Sequence, residues 1–498
     1  MTEERPQSEI QRVLRHGSRL GDVFVRIILP PRLQKVLGVP GLFATAYGDV
    51  GSSIFYSLGI VALYALGLTP MVLVLAGIFF LFTGLTYAEG STALPEAGGS
   101  GAYARRAFND LAGFTASWML MMDYLVTIAI SAFTAANYLG YFLPGLRSWP
   151  NNSLMGIGIV LGLVAINALG IKESARFNLS LVVLAILSLL ILGALGTLLI
   201  INVPQLLHNI HWGIAPTTNQ LLFGISISMM GYTGIETIAN LGGETRQAGK
   251  NVPRTVVLVF AIVLLFYVVF SMTGLSAYPV HQTPGGEWVT GLSEQYLEDP
   301  MVGIVKGMPG NIQPILSFGV AILAVAILII ATNAGIIGAS RLVYFMGIRQ
   351  QLPRFISRIN RRSRVPLIGI LVSAVLAALL ITTGQVTVLA DLYAFGAMAA
   401  YTLAHISIIA LRVKEPDLPR PFKIPLNIRI RGREIPVTAV IGGLATGATW
   451  FIVTYTHELG RIVGFAWIIV GLFVYVVYRR ATGRPVIAIP KPRAQYRR

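Results

Sequence analysis

A chain of 498 residues that is 55% hydrophobic and only 12% charged carries more apolar side chain than a water-soluble domain can hide, and its mean hydropathy of +0.71 marks a protein that crosses a membrane many times. A net charge of +17 raises nucleic acid as a partner, but the basic residues sit in short loops without interleaved aromatics, which excludes that reading. With no cysteine in the chain, neither a disulfide framework nor a thiolate metal site is available.

In chain order, residues 1–38 form a basic segment. Ile10, Val13, Leu14, Leu20, Val23 and Phe24 alternate with arginines there, which predicts an amphipathic stretch lying on the inner leaflet, and no cleavable signal peptide is visible. Twelve apolar runs follow, near 41–66, 70–88, 112–142, 153–170, 178–202, 217–243, 254–278, 312–340, 365–383, 387–412, 437–456 and 461–478, each read as a membrane-spanning helix. Of the 38 Lys and Arg, 35 fall on one side of this arrangement and only Arg147, Lys306 and Arg461 on the other. That bias places both termini in the cytoplasm and the chain in the cell (inner) membrane. The expected organisation is a basic N-terminal segment (1–38), a core of spans 1–10 (39–412), spans 11 and 12 (413–478) and a basic tail (479–498).

Two spans are interrupted. Span 1 carries YGDVGSSIF, with Gly48, Gly51, Ser52 and Ser53 around a lone Asp49, and span 6 carries Gly231 and Gly234 in MMGYTGIE. Breaks at matching places five spans apart point to a secondary transporter built as an inverted repeat of spans 1–5 and 6–10, because unwound backbone is tolerated at membrane depth only where it lines a cavity. Glycines that merely let helices pack closely are the alternative. In the transporter reading the amides of Ser52, Ser53 and Ile54 receive a carboxylate, and the carbonyls near Tyr47, Gly48, Met229 and Met230 receive an ammonium. Tyr232 then covers the side-chain pocket, or simply packs.

Three acids fall inside spans: Asp49, Asp123 in MMDYLVTIAISA of span 3, and Glu236 just after the second break. Such groups are held in lipid only as neutral acids or with a cation bound, and no buried Lys or Arg partner is evident. Asp391 reads as a helix-start residue and His405 as a hydrogen-bonded core histidine; His208 and His211 read as an interfacial pair, with a metal site as the alternative. No phosphate-binding loop, cofactor motif, metal cluster or nucleophile–base grouping appears, which speaks against ATP-driven transport and against an enzyme.

Four ordered stretches carry a family resemblance. YAEGSTALPEAGGSGAYARRAFNDLAGFTASW (87–118), GYTGIETIANLGGETRQAGKNVPRTV (231–256), TNAGIIGASRLVYFMGIRQQLPRF (332–355) and LRVKEPDLPRPFKIP (411–425) resemble the amino acid-polyamine-organocation permeases. The resemblance implies the all-α leucine-transporter fold, with broken helices 1 and 6, and transport of amino acids or related amines by alternating access. It assigns Gly51, Ser52, Ser53, Gly231 and Gly234 to the substrate site and a gating and proton-linked role to Glu236. Asp49 departs from the pattern: YGDVGSS resembles bacterial potassium-uptake transporters on a related fold, and Asp123 echoes them too, so a monovalent-cation importer is the alternative. Proton-coupled relatives often place a lysine in helix 5, and span 5 has none. Protons on Asp49 and Glu236 are the preferred coupling; a cation held near Asp49 by Thr332 and Ser340 is the other.

Overall fold

The computed structural model describes residues 38–489 except 97, 170–174, 242–244, 361–362 and 364. The N-terminal amphipathic segment, Lys172 and the last nine residues of the tail lie outside the described residues.

Helix α1 (Val39–Val50) opens on Pro40, whose missing N–H costs nothing in a first turn. It passes through a 3-10 turn at Gly51–Ser53 into α2 (Ile54–Ala65), and a second such turn leads to α3 (Thr69–Ala93). Then come α4 (Gly99–Ala107), α5 (Asp110–Leu139), α6 (Asn151–Leu169) and α7 (Ala175–Leu199). After these come α8 (Thr218–Ser228), a 3-10 turn at Met229–Tyr232, α9 (Glu236–Leu241), α10 (Ala248–Ala277), α11 (Gln313–Ile348), α12 (Leu367–Ile381) and α13 (Val386–Lys414). Helices α14 (Val437–Thr456) and α15 (Glu458–Ala481) finish the bundle, and two hairpins, β1–β2 (Val280–Gln282 with Trp288–Thr290) and β3–β4 (Asn427–Ile430 with Arg433–Pro436), lie in its loops.

Side chains fix the starts of two of these helices: Asn109 accepts from the Ala112 amide ahead of α5, and Thr217 with Gln220 forms a reciprocal capping box ahead of α8. Helix α5 is the axis of the molecule, buried along its most apolar stretch and packed on α4, α6, α11, α12 and α13. Its contacts are made close by glycine: a Cβ on Gly101 would sit 1.9 Å from Ser117 Oγ, so the Gly-rich stretch of α4 seats that helix directly on α5. Trp118 and Trp467 stack at 4.4 Å, and each indole N–H donates to the other's carbonyl (2.8 and 2.9 Å), tying α5 to α15. On the outside, Leu184, Leu187, Ile191 and Leu198 form an exposed stripe on α7. Spaced at helical intervals and facing away from the bundle, such a stripe suits lipid rather than water.

Ten of the described helical stretches are long and apolar enough to span a membrane, so the chain is an integral, all-α membrane protein. The twelve-span expectation differs from this at two points. Spans 1 and 2 run together as Val39–Ala93, since only a short 3-10 turn entered through Leu66 (φ +47°) separates them, and span 9 is the 15-residue α12, which begins only after Pro366. Ion pairs join loops that the charge bias puts on the same side: Arg147 with Asp299 (2.7 Å), Arg106 with Glu415 (2.7 Å), Arg479 with Asp110 (3.0 Å), and Arg349 with Glu96.

Candidate functional site

The two breaks meet at the centre, but they are built differently. Through Gly51–Ser53 the backbone stays right-handed (Gly51 φ −71°, Ser53 φ −62°), the Gly51 amide donates to Tyr47 O and the Ile54 amide to Ser52 O. Of the amides expected to form an open cradle at Ser52, Ser53 and Ile54, that of Ile54 is thus already bonded within a tightened 3-10 turn. Gly51 is required by contact, since its Cβ would lie 2.7 Å from the Tyr47 ring, and Gly48 faces Ile330 of α11. The second break does open: Thr233 is extended, and Gly234 adopts φ +112°, a conformation that L side chains rarely enter. Gly234 also lies against the first break, where a Cβ would come within 2.9 Å of Asp49 Cγ.

Of the carbonyls expected to hold an ammonium, Met230 O already accepts within the protein, as does the neighbouring Gly231 O. Tyr267 OH donates to Gly231 O (2.7 Å), and Thr233 donates to Met230 O through both its amide and its hydroxyl. The Ser52 hydroxyl turns back to Asp49 O (2.6 Å), and Ser53 Oγ pairs with Tyr56 OH (2.9 Å). Tyr232 takes its packing role: its hydroxyl donates to Leu73 O (2.8 Å) and its ring lies among Phe80 and Tyr267.

The three acids gather here, all fully buried. Thr237 of α9 donates to Asp49 Oδ2 at 2.5 Å, bridging the two breaks. Tyr401 of α13 donates to Glu236 Oε2 at 2.8 Å, and the Gly234 amide donates to the same oxygen at 3.2 Å. Both oxygens of Asp123 and Glu236 Oε1 lack a donor, and the Asp123 carboxyl faces that of Glu236. Among the described residues the groups acting on these acids are one another, hydroxyls and backbone amides, with no lysine, arginine or histidine.

Thr332 and Ser340 do not join the cluster. Their hydroxyls bond to Leu328 O (2.8 Å) and Ile337 O (3.0 Å) of their own helix, and Gly369 of α12 packs on Ser340. Asp391 is not a helix start, since α13 begins at Val386. It binds His457 Nδ1 (2.6 Å), whose Nε2 lies 3.1 Å from Ser226 Oγ. The order is that of a hydrolytic triad, but Phe223 stacks on the imidazole at 3.5 Å and both His457 and Ser226 are buried, so it fastens α8, α13 and the α14–α15 junction together. His405 is held between Thr83 Oγ1 (3.1 Å) and Thr86 Oγ1 (2.9 Å), as a core histidine should be. The rings of His208 and His211 meet edge to face, and no group of three metal-ligating side chains occurs among the described residues.

The loop before α11 closes over α2. Leu297 O lies against Gly59, and Tyr138 OH links Phe55 O to the Met301 amide. In that loop burial pushes the Glu298 carboxyl up to about 7, with the Asp299 charge adding to it, while burial raises Asp299 to about 6 against the opposing pull of Arg147.

Residue-by-residue reading missed Thr237, Tyr401, Tyr56, Tyr267 and Tyr393. Thr127 Oγ1 donates to Tyr393 OH (2.8 Å), one turn along α5 from Asp123. Tyr393 and Tyr401 lie eight residues apart on one face of α13, a spacing that was visible in YAFGAMAAY and was the available signal.

Uncompensated acids at the meeting point of two interrupted helices, inside a bundle sheathed in apolar side chains, define a membrane transport protein and not an enzyme. The chain belongs to the amino acid permease family, which it matches over residues 37–430, within the amino acid-polyamine-organocation superfamily. It is 24% identical to the branched-chain amino acid permease BcaP of Bacillus subtilis (strain 168), over 90% of this chain and 94% of that one. It is 25% identical to the methylthioribose transporter of the same organism (86% and 90% covered) and 25% identical to the low-affinity putrescine importer PlaP of Escherichia coli (strain K12) (87% and 91% covered).

Proposed function

We propose that this protein is a secondary active permease for amino acids or related amines, working by alternating access and coupled to protons. The observation that carries the reading is the Asp49–Thr237 bond between the two breaks, beside the Asp123–Glu236 pair. A substrate ammonium would find carboxyl oxygens waiting there, and its arrival would displace a proton. Opening the second break around Gly234 would disturb Glu236 and Asp49 together, which links substrate movement to proton release. Two of the relatives are named for ammonium-bearing cargo, a branched-chain amino acid and putrescine.

The fold reading is twelve crossings with a 5+5 inverted repeat as the core over 39–412. Val39–Ala93 turns at Leu66 (φ +47°), and its arms, Val39–Ala65 and Thr69–Ala93, are each about 40 Å long at 1.5 Å per residue, enough to cross once apiece. Each half then runs in parallel: a broken span, a long helix, short helices, a long helix, a shorter one (α6, α12) and a long one (α7, α13). The same-side ion pairs support cytoplasmic termini, and the inner membrane follows from the charge bias.

Purified protein in liposomes with an inward proton gradient should accumulate labelled branched-chain amino acids or putrescine, and a protonophore should collapse the accumulation. Asp49→Asn should abolish or uncouple uptake while the protein still folds; full gradient-driven uptake would remove Asp49 from the mechanism. The same acid cluster would also hold a monovalent cation, so rubidium uptake without any amine, dependent on Asp49 and Asp123, would overturn the permease reading in favour of cation import.

A further inference from the structure

The transport reading leaves the Lys-Asn-x-Pro-Arg exit after the second break without a role. Its Lys250 and Arg254, one turn apart on α10, line a groove of about 760 Å³ together with Leu258 and Ala261 further along the same face, Leu85 of α3, and Phe422 and Lys423 of the segment after α13. The spacing 250, 254, 258, 261 keeps these side chains on one stripe. The stripe is basic at its loop end and apolar from Leu258 onward. Pro421 seats this segment against Gly249 at the helix start, while Phe422 forms the facing wall.

Lys250 and Arg254 are exposed, and neither side chain bonds to a described residue. Lys423 shares Glu434 with Arg429 and Arg412 (3.2, 3.3 and 3.4 Å), so the groove holds three cations against one divided carboxylate at its rim. The charge bias puts both basic segments on the cytoplasmic side, and the fold brings them to one place. There the surrounding exposed residues Val257 and Leu258 face the region of the acyl chains.

We propose that this groove is a binding site for an anionic phospholipid of the inner leaflet, its phosphate between Lys250 and Arg254 and an acyl chain along Leu258 and Phe422. The proposal rests on the topology given above and not on the cargo. Charge complementarity names the headgroup: a basic residue near an anionic leaflet gains attraction, whereas a zwitterionic headgroup brings its own cation to three others. Size and the apolar wall name the tail, since the groove has roughly twenty-five times the volume of a water molecule and a lone phosphate ion would leave most of it empty. The lipid would span α3, α10 and the segment after α13, which belong to different halves of the core.

The test uses the full chain purified in detergent and in nanodiscs of phosphatidylcholine, with phosphatidylglycerol added. Wild type should retain phosphatidylglycerol in native mass spectrometry and melt at a higher temperature with it. In K250Q/R254Q the preference should fall about thirtyfold, from loss of two juxtamembrane cations, while the melting temperature in pure phosphatidylcholine stays unchanged. A single R254Q should give an intermediate loss and serves if the double variant folds poorly. Retention of the full preference in both variants overturns the proposal. So does a thermal shift from inorganic phosphate or glycerol phosphate equal to that from the lipid, which would make the groove a plain anion site.

Discussion

Two places in this molecule bury carboxylates, and they are equipped in opposite ways. Glu89 of α3 accepts from Arg412 Nε (2.6 Å) and Nη2 (2.5 Å) and from the Ile424 amide (2.9 Å), with Arg420 Nε 3.3 Å away. Asp49, Asp123 and Glu236 have hydroxyls, one backbone amide and each other, and three of their oxygens have no donor. A buried charge that is fully paired and fully hydrogen-bonded is a fixed lock, here between α3 and the segment after α13. A group of buried acids left short of counter-charge stays put only by holding something that comes and goes, a proton or a cationic group of the substrate.

The contrast breaks first at Glu89. Glu89→Gln leaves two guanidinium groups without their carboxylate in a dry site, and it should cost about 3–5 kcal/mol. That is large enough to show as a steep loss of melting temperature in detergent; an unchanged melt would mean that water reaches the arginines and that no lock exists. Glu236→Gln should do the reverse. The change removes an uncompensated acid and keeps the acceptor for Tyr401, so stability should move by less than about 1 kcal/mol. Gradient-driven uptake should nevertheless fall by a hundredfold or so, as when a proton-transfer group is lost. Equal loss of stability and uptake would put Glu236 in the same class as Glu89.

Much of this was legible in the chain. The apolar runs, the two glycine interruptions and the three intramembrane acids are local signals, and the helices, the 3-10 turns and the buried acids are found at those positions. What the sequence hid was pairing across distance. Glu89 and Arg412 stand 323 residues apart, in two of the motifs that carry the family resemblance, and nothing in either motif says that they touch. The same holds for Ser226, His457 and Asp391. The form of the first break was hidden for a different reason: Gly-Ser composition permits unwinding, but here it gives a 3-10 turn whose glycine lies against the Tyr47 ring, and only packing reveals that. Thr332 and Ser340 turn their hydroxyl protons to acceptors in their own preceding turns, which a sequence pattern does not reveal.

That difference between the breaks gives a smaller test. Gly234→Ala must place a Cβ at φ +112° and within 2.9 Å of Asp49 Cγ, at a cost of about 1–3 kcal/mol, while Gly51→Ala keeps an ordinary φ and displaces only the Tyr47 ring. Thermal melts of the pair should rank Gly234→Ala clearly below Gly51→Ala; the opposite order would make the first break the strained one.

The smallest effect lies in the outer loop, where Glu298 belongs to neither class: burial pushes it up to about 7 from an ordinary 4.5, yet it is only partly covered and has Arg147 nearby. In the folded loop it binds a proton more tightly than in the opened one. Its contribution to stability is therefore complete below about pH 4.5 and is lost as pH rises through 7. Wild type should lose on the order of 1 kcal/mol between pH 5 and pH 8 that Glu298→Gln does not lose, after allowing for screening at a partly exposed site. Asp299, raised to about 6, titrates with the same sign, so the variant should keep a shallower slope instead of none. Melting curves of both proteins at the two pH values decide it. Parallel slopes would show that Glu298 stays ionised against Arg147, and the loop would then join Glu89 among the permanently paired charges.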